Sequence, residues 1–217
     1  DFKMRTSALL TTSLLTCLLT SVVAAEAKPW AAYPRGNGPG AGKHIGFVTG
    51  DDEYRSAERT PMPAKILSLR HGFRGTVPVA VDPKTGVIKP DHQTNIPGLE
   101  ALDSADLMVL FTRFQAFRDE QMQHIEDYLA TGKPVMGLRT TTHGFQGLKG
   151  KYAKYNDGYN GPEKEWQAGF GEAILGEHWV GHYGRNHRQS SRLQLEKTQA
   201  KHPILRGVQD VHTQCGG

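Results

Sequence analysis

Cysteine is nearly missing from this chain of 217 residues, which has only Cys17 and Cys215. That excludes a disulfide framework and a thiol-rich metal site. No run of five or more like charges occurs. The net charge of +4 is dispersed, and no aromatic-basic motif accompanies it, so nucleic acid is not an expected partner. No HExxH pattern is present. The glycine-rich stretch at 36–44, GNGPGAGKH, has the wrong spacing for a phosphate loop. No strand precedes it, and no Ser or Thr follows Lys43. There is no internal repeat. Only one apolar run is long, at residues 8–23.

That run reads as part of a leader. Met4 and Arg5 give a short basic start, and Ala25, Glu26 and Ala27 form a small-x-small cleavage site. Residues 1–27 are therefore expected to be a signal peptide cut after Ala27. The alternative is a membrane anchor. The threonines within the run and the lack of a basic flank after it favour cleavage, leaving no stable anchor. The protein is accordingly expected to be exported, periplasmic or secreted. Cys17 is badly placed for lipidation, with Thr16 before it and more apolar leader after it. Asp1, Phe2 and Lys3 precede Met4 and read as a non-native start. At the other end, the chain stops at Gly216 and Gly217 without a terminating element, as if the last strands of the domain were missing.

Residues 28–42 hold Pro29, Pro34, Pro39 and alternating glycines, and read as an extended linker. Ordered structure is expected from Lys43, in one domain over 43–217. Residues 44–49, HIGFVT, form a short buried-type strand. Thr60 can cap a helix with Pro61 at its first position; Met62, Ile66 and Leu69 share a face, and Gly72 ends it. A second strand is expected at 76–81 and a turn at 82–86. Residues 105–112, ADLMVLFT, are the clearest strand. Asp119 and Glu120 open the next helix, where they complement its dipole. Met122, Ile125 and Leu129 make its apolar stripe, and Gly132 and Pro134 end it. Residues 135–138 form another strand. Continuous apolar strands alternating with helices predict an α/β fold: a doubly wound, mainly parallel sheet with helices on both faces. The polar, tyrosine-rich stretch 147–170 interrupts this rhythm, either as a lid or binding loop or as a surface insertion. A short helix is expected at 171–176, a strand at 193–195 and a loop at 202–204.

A parallel sheet delivers its strand ends to one rim, where open α/β sheets bind ligands. The first strand brings Asp51, Asp52, Glu53 and Tyr54 there; the third brings Arg113; the fourth brings Arg139 and Thr140, with His143 one turn on. Arginine suits carboxylates, phosphates or polyols but stays protonated. Proton transfer would thus fall to Asp52, Glu53 or His143. The competing reading makes Arg113 and Arg139 structural ion-pair partners of the acidic residues. The three threonines Thr140, Thr141 and Thr142 are more simply hydrogen-bonding residues at a helix start than nucleophiles. In GEHWVGHYGRNH, residues 176–187, His178 and His182 would share a face of a helix or a strand. They could face a ligand, hold a metal with a carboxylate as third ligand, or simply lie at the surface, and His187 is close by in sequence. Ligand contact by His178 and His182 is the reading adopted, with no metal and no cofactor.

Four blocks carry a resemblance: FVTGDDEYRSAERTPMPAKIL at 47–67, IPGLEALDSADLMVLFTRF at 96–114, KPVMGLRTTTHGF at 133–145 and HPILRG at 202–207. In this order they resemble the ThuA-like family, named for trehalose utilisation, in its exported, planctomycete-type form. The resemblance implies a flavodoxin-like sheet related to class I glutamine amidotransferases. In amidotransferases a cysteine stands at the strand-turn-helix elbow; here that place falls on Arg139, so glutamine hydrolysis is not implied. The implied role is trehalose or related disaccharide utilisation, with a small-molecule carbohydrate as partner. Two classes remain open: a carbohydrate-processing protein, or a noncatalytic binding or scaffolding module on the same fold.

Overall fold

The structure is a computed structural model that describes residues 30–185, 188–192, 194–208 and 212–213. The expected leader, His187, Leu193 and Cys215 lie outside the described residues. The architecture is mixed α/β. A five-stranded sheet has the order β1-β3-β2-β4-β5, where β1 is Trp30–Tyr33, β2 His44–Gly50, β3 Arg74–Pro78, β4 Leu107–Thr112 and β5 Val135–Gly137. Strands β3, β2, β4 and β5 are parallel, with Ile45 opposite Leu107, Gly50 opposite Thr112 and Leu110 opposite Gly137. β1 pairs antiparallel with β3 at the edge, from Trp30 opposite Pro78 to Tyr33 opposite Gly75. After β2 come a single turn, α1 (Ser56–Arg59), and helix α2 (Pro61–His71); α3 (Asp119–Ala130) joins β4 to β5. A separate two-stranded ladder pairs β6 (Ser191–Arg192) with β7 (His212–Thr213).

The alternating pleat sorts the side chains. Met108, Leu110 and Val48 face α3 and join Met122, Ile125 and Leu102 in the larger core. Ile45, Phe47 and Val109 face the other way, with Ala64 of α2 and partly buried Leu67. Each fully buried large apolar side chain stabilises by roughly 1.5–3 kcal/mol relative to exposure. The second face is only half covered. Beside α2 lies an open apolar groove of about 830 Å³, lined by Phe47, Val109, Phe111, Met136 and Leu138.

Several expectations need correction. Residues 30–42, expected within an extended linker, are not a bare linker. Trp30–Tyr33 is an edge strand, tolerated between two prolines because an edge leaves one side of its backbone unpaired. The glycines after it lie against the end of α2: the Gly40 N–H donates to the His71 carbonyl at 2.7 Å, and a Cβ on Gly36 would stand 2.8 Å from the Ser68 carbonyl oxygen. Helix α2 starts at Pro61 and stops at left-handed Gly72 as expected. Its predicted stripe nonetheless faces solvent, with Met62 67 % and Leu69 64 % exposed. The buried positions are Ala64 and Ser68, small residues that let the helix approach β1 and β3 closely, and the Ser68 hydroxyl donates to the Pro34 carbonyl. β3 begins two residues before the expected strand. Ser191–Arg192 forms the late strand, while Gln194 and Leu195 lie outside any strand.

The largest correction concerns residues 147–170. They form neither a lid nor a passive insertion but a second cover for the α3 face. Leu148, Tyr152, Tyr155 and Phe170 are buried in the main core. The tyrosine hydroxyls reach polar partners at its edge: Tyr152 donates to Gln123 at 3.0 Å and Tyr155 to Glu126 at 3.3 Å. Burial holds the Tyr155 hydroxyl far above its ordinary pKa. Phe145 meets Phe170 edge-on at 5.1 Å and Tyr155 meets Trp166 at 4.7 Å. Such pairs add about 0.5–1.5 kcal/mol beyond area burial.

Candidate functional site

From β2 the chain crosses to β3; from β4 it moves the other way, to β5. The order therefore reverses between β2 and β4, and at their carboxyl ends lies a crevice of the kind that receives ligands. A cleft of about 410 Å³ opens there, lined by Glu53, Tyr54, Arg113, Phe114, Arg139, Thr140, Thr142, His143, Trp179 and His182. This falls within the usual size range of small-molecule sites.

Its floor is tied together by main-chain and side-chain bonds across three strands. Arg113 N–H donates to the Gly50 carbonyl at 3.0 Å, and Gln115 Nε2 donates to the same carbonyl at 2.5 Å. The Thr141 hydroxyl reaches the Leu110 and Leu138 carbonyls at 2.9 and 2.8 Å. Asp51 is 1 % exposed. Its carboxylate accepts the Tyr54 N–H at 2.8 Å and the Thr140 hydroxyl, fastening the β2 turn to the β5 turn. Glycine is required where the turn after β5 meets the end of β4: a Cβ on Gly144 would stand 2.5 Å from Thr112 Oγ1.

Each rim-forming strand is followed by a non-glycine residue in left-handed backbone: Arg55 after β2, Phe114 after β4 and Arg139 after β5, with φ of 55°, 50° and 50°. Such residues are strained and cluster at functional sites. Arg139 is thus a sharp elbow between strand and turn, as its place in the sequence predicted. Its guanidinium sits over the Tyr54 ring, 3.7 Å from the centre. Arg113 Nε pairs with Glu53 at 3.0 Å and its guanidinium lies 4.9 Å from the centre of Phe114.

His143 forms the back wall. Its ring is held between Phe114 at 5.0 Å and Trp179 at 4.9 Å, and Trp179 leads on to His182 at 5.5 Å. Burial lowers the His143 pKa; Asp157 pulls it back up and Arg113 pushes it further down. The ring is therefore neutral at pH 7. Burial raises the Asp157 carboxyl, against the opposing pull of His143 and His178. The Thr142 hydroxyl lies 3.4 Å from His143 Nδ1, at the limit of a hydrogen bond.

Of the residues expected at the site, Glu53, Tyr54, Arg113, Arg139, Thr140, His143 and His182 come together in the lining. Asp51 lies beneath the floor. Asp52 is exposed and outside the lining, because the chain turns there to bury Asp51 instead. His178 is also outside the lining: residues 176–185 are neither helix nor strand, and His178 Nδ1 pairs with Glu172 at 2.7 Å. The ion-pair reading holds for Arg113 but not for Arg139, which has no carboxylate partner among the described residues. No cluster of three or more His, Cys, Asp or Glu in a metal-holding arrangement occurs among the described residues. Sequence reasoning missed Phe114, Thr142, Trp179 and Asp157. Phe114 follows Arg113 directly, and Trp179 stands between the two histidines, so proximity to noted residues was the available signal. The chain matches no family model, no curated protein and no solved structure.

Proposed function

We propose that this is an exported ThuA-like protein, flavodoxin-like and related in fold to class I glutamine amidotransferases, that binds or processes a carbohydrate at the rim cleft. The observation that carries the reading is the alternation of rings and fixed donors in one cleft. Tyr54, Phe114 and Trp179 supply flat apolar surfaces; Arg113, Arg139, Thr140, Thr142 and His143 supply hydrogen-bonding groups between them. Sugars present apolar ring faces edged by hydroxyls, and a pocket for them needs both elements.

The strand order and the strained elbow at Arg139 support the amidotransferase-like part of this reading. The elbow holds a permanently charged guanidinium where that chemistry uses a thiolate, so no glutaminase activity accompanies it. Any proton transfer falls to His143, which is neutral and faces the cleft, with Glu53 committed to Arg113. Trehalose and related disaccharides are the first ligands to try. In a thermal-shift titration a bound sugar raises the melting temperature, and Trp179→Ala lowers its affinity about fivefold through loss of a ring platform. No shift with any neutral or acidic sugar would remove the carbohydrate reading.

The runner-up is a noncatalytic binding module. The wide Thr142–His143 separation and the absence of Asp52 from the lining favour it. His143→Gln separates the two: an enzyme loses turnover and keeps its ligand, whereas a module has no turnover to lose.

A further inference from the structure

We infer that the ligand of this cleft carries a carboxylate, as a sugar acid does, and that Arg139 receives it; this rests on the carbohydrate reading above. Three lining residues bear a full charge: Arg113, Glu53 and Arg139. The first two are paired at 3.0 Å. Arg139 faces the same cleft with no carboxylate partner among the described residues. The Tyr54 ring beneath its guanidinium stabilises the cation and gives its N–H groups no acceptor. Asp51 is the one buried carboxylate among the described residues, and its oxygens already serve Thr140 and Tyr54 below the floor. Its field weakens the positive potential of the cleft without filling the donors of Arg139. His143, neutral behind the cleft, adds no competing charge.

The elbow makes this placement unusual. A left-handed backbone at Arg139 is strained, and the long side chain it projects has one unmatched charge and a planar pair of donors. That fork fits a carboxylate, which is planar and carries a single charge. A phosphate near its dianionic state would leave one charge without a partner in this lining. Phe114 and Trp179 remain for the ring of the same molecule.

The test is calorimetric titration of the full chain with glucose, glucuronate, glucuronamide and glucose 6-phosphate, at low and high salt. Glucuronate should bind at least about tenfold tighter than glucose or glucuronamide, a margin typical of one charge-assisted pair. That margin should shrink as salt rises. Arg139→Gln should remove the preference and leave weak binding of all the neutral sugars. Arg139→Lys, which keeps the charge without the fork, should retain part of it. Melting without ligand checks that both variants fold, and the salt dependence of the unaltered chain stands independently of either. Equal affinity for glucose, glucuronamide and glucuronate would overturn the inference and leave the carbohydrate reading intact. Tighter binding of glucose 6-phosphate than glucuronate would overturn the carboxylate assignment. A preference for glucuronate that survives Arg139→Gln would remove Arg139 as its receiver. Binding of none of the four would take away the carbohydrate reading itself.

Discussion

The two cavities of this molecule differ in kind as much as in size. The groove beside α2 is twice as large, about 830 Å³ against about 410 Å³ for the rim cleft. It is lined by strand side chains such as Phe47, Val109 and Leu138, and also by Lys43, Arg59, Asp106 and Lys133. It is the flank of the sheet that α2 covers only in part among the described residues, whereas parallel sheets are ordinarily covered on both faces. The rim cleft is smaller, but rings, cations, hydroxyls and a buried histidine converge there from three strand ends. Volume follows from what has been left uncovered. Chemistry follows from what the topology brings together.

Asp51 gives the hardest test of that contrast. Its carboxylate joins the turns after β2 and β5, and Asp51→Ala leaves the Tyr54 N–H and the Thr140 hydroxyl without their acceptor. Stability should fall by about 1.5–3 kcal/mol, the range for hydrogen bonds to a charged group, and ligand affinity at the rim should fall with it. Its exposed neighbour is the control: Asp52→Ala should stay within about 0.5 kcal/mol. Equal effects in urea unfolding would mean that the floor of the cleft is not organised around Asp51.

Arg139→Gly comes next and should act in two directions. Glycine adopts φ of 50° without the Cβ penalty, so stability should rise by about 1–2 kcal/mol. Binding at the rim should weaken at the same time. A variant that gains nothing in stability would show the elbow to be unstrained. On the groove side, Met136→Ser removes a thioether that is already 46 % exposed and should change stability by no more than about 0.5 kcal/mol. A larger loss in dilute protein would mean that the groove is covered in solution, and the comparison of the two cavities would need redrawing.

What was legible in the sequence divides along the same line. β4 and α3 could be read because each has a single strong period: a continuous apolar run for the strand, and Met122, Ile125 and Leu129 at helical spacing. Once those were parallel, the meeting of Glu53, Arg113, Arg139 and His143 followed from topology alone. Features decided by tertiary packing could not be read this way. Tyr152 and Tyr155 sit in a polar, glycine-broken stretch, yet bury their rings and pass their hydroxyls to α3. α2 turns its larger side chains outward because Ala64 and Ser68 allow closer approach to the sheet. Trp179 reaches the cleft from an irregular segment whose path has no periodic signal.

The smallest effect expected is a pH dependence that belongs to the cleft alone. Burial lowers the His143 pKa below its ordinary value of 6.5. Between that lowered value and 6.5 the unfolded chain binds more protons than the folded one. Stability therefore rises with pH across the window and is lost as pH falls below about 6.5. Asp157 works the opposite way: raised by burial above 3.8, it is more protonated when folded, and its contribution is lost as pH rises through the folded value. Arg113 stays charged throughout, so these two groups shape the curve. His44, lowered by its own burial at the far end of β2, bends the curve as His143 does, but it is common to both proteins being compared. Urea midpoints of the unaltered chain and His143→Gln, taken from pH 5 to 8, isolate the term. The difference should be flat above about pH 7 and move against the unaltered chain below it. With Asp157→Asn in both backgrounds that trend should persist. A flat difference throughout would mean that His143 is solvated like a surface histidine, leaving the rim cleft without its desolvated wall and no more specialised than the groove.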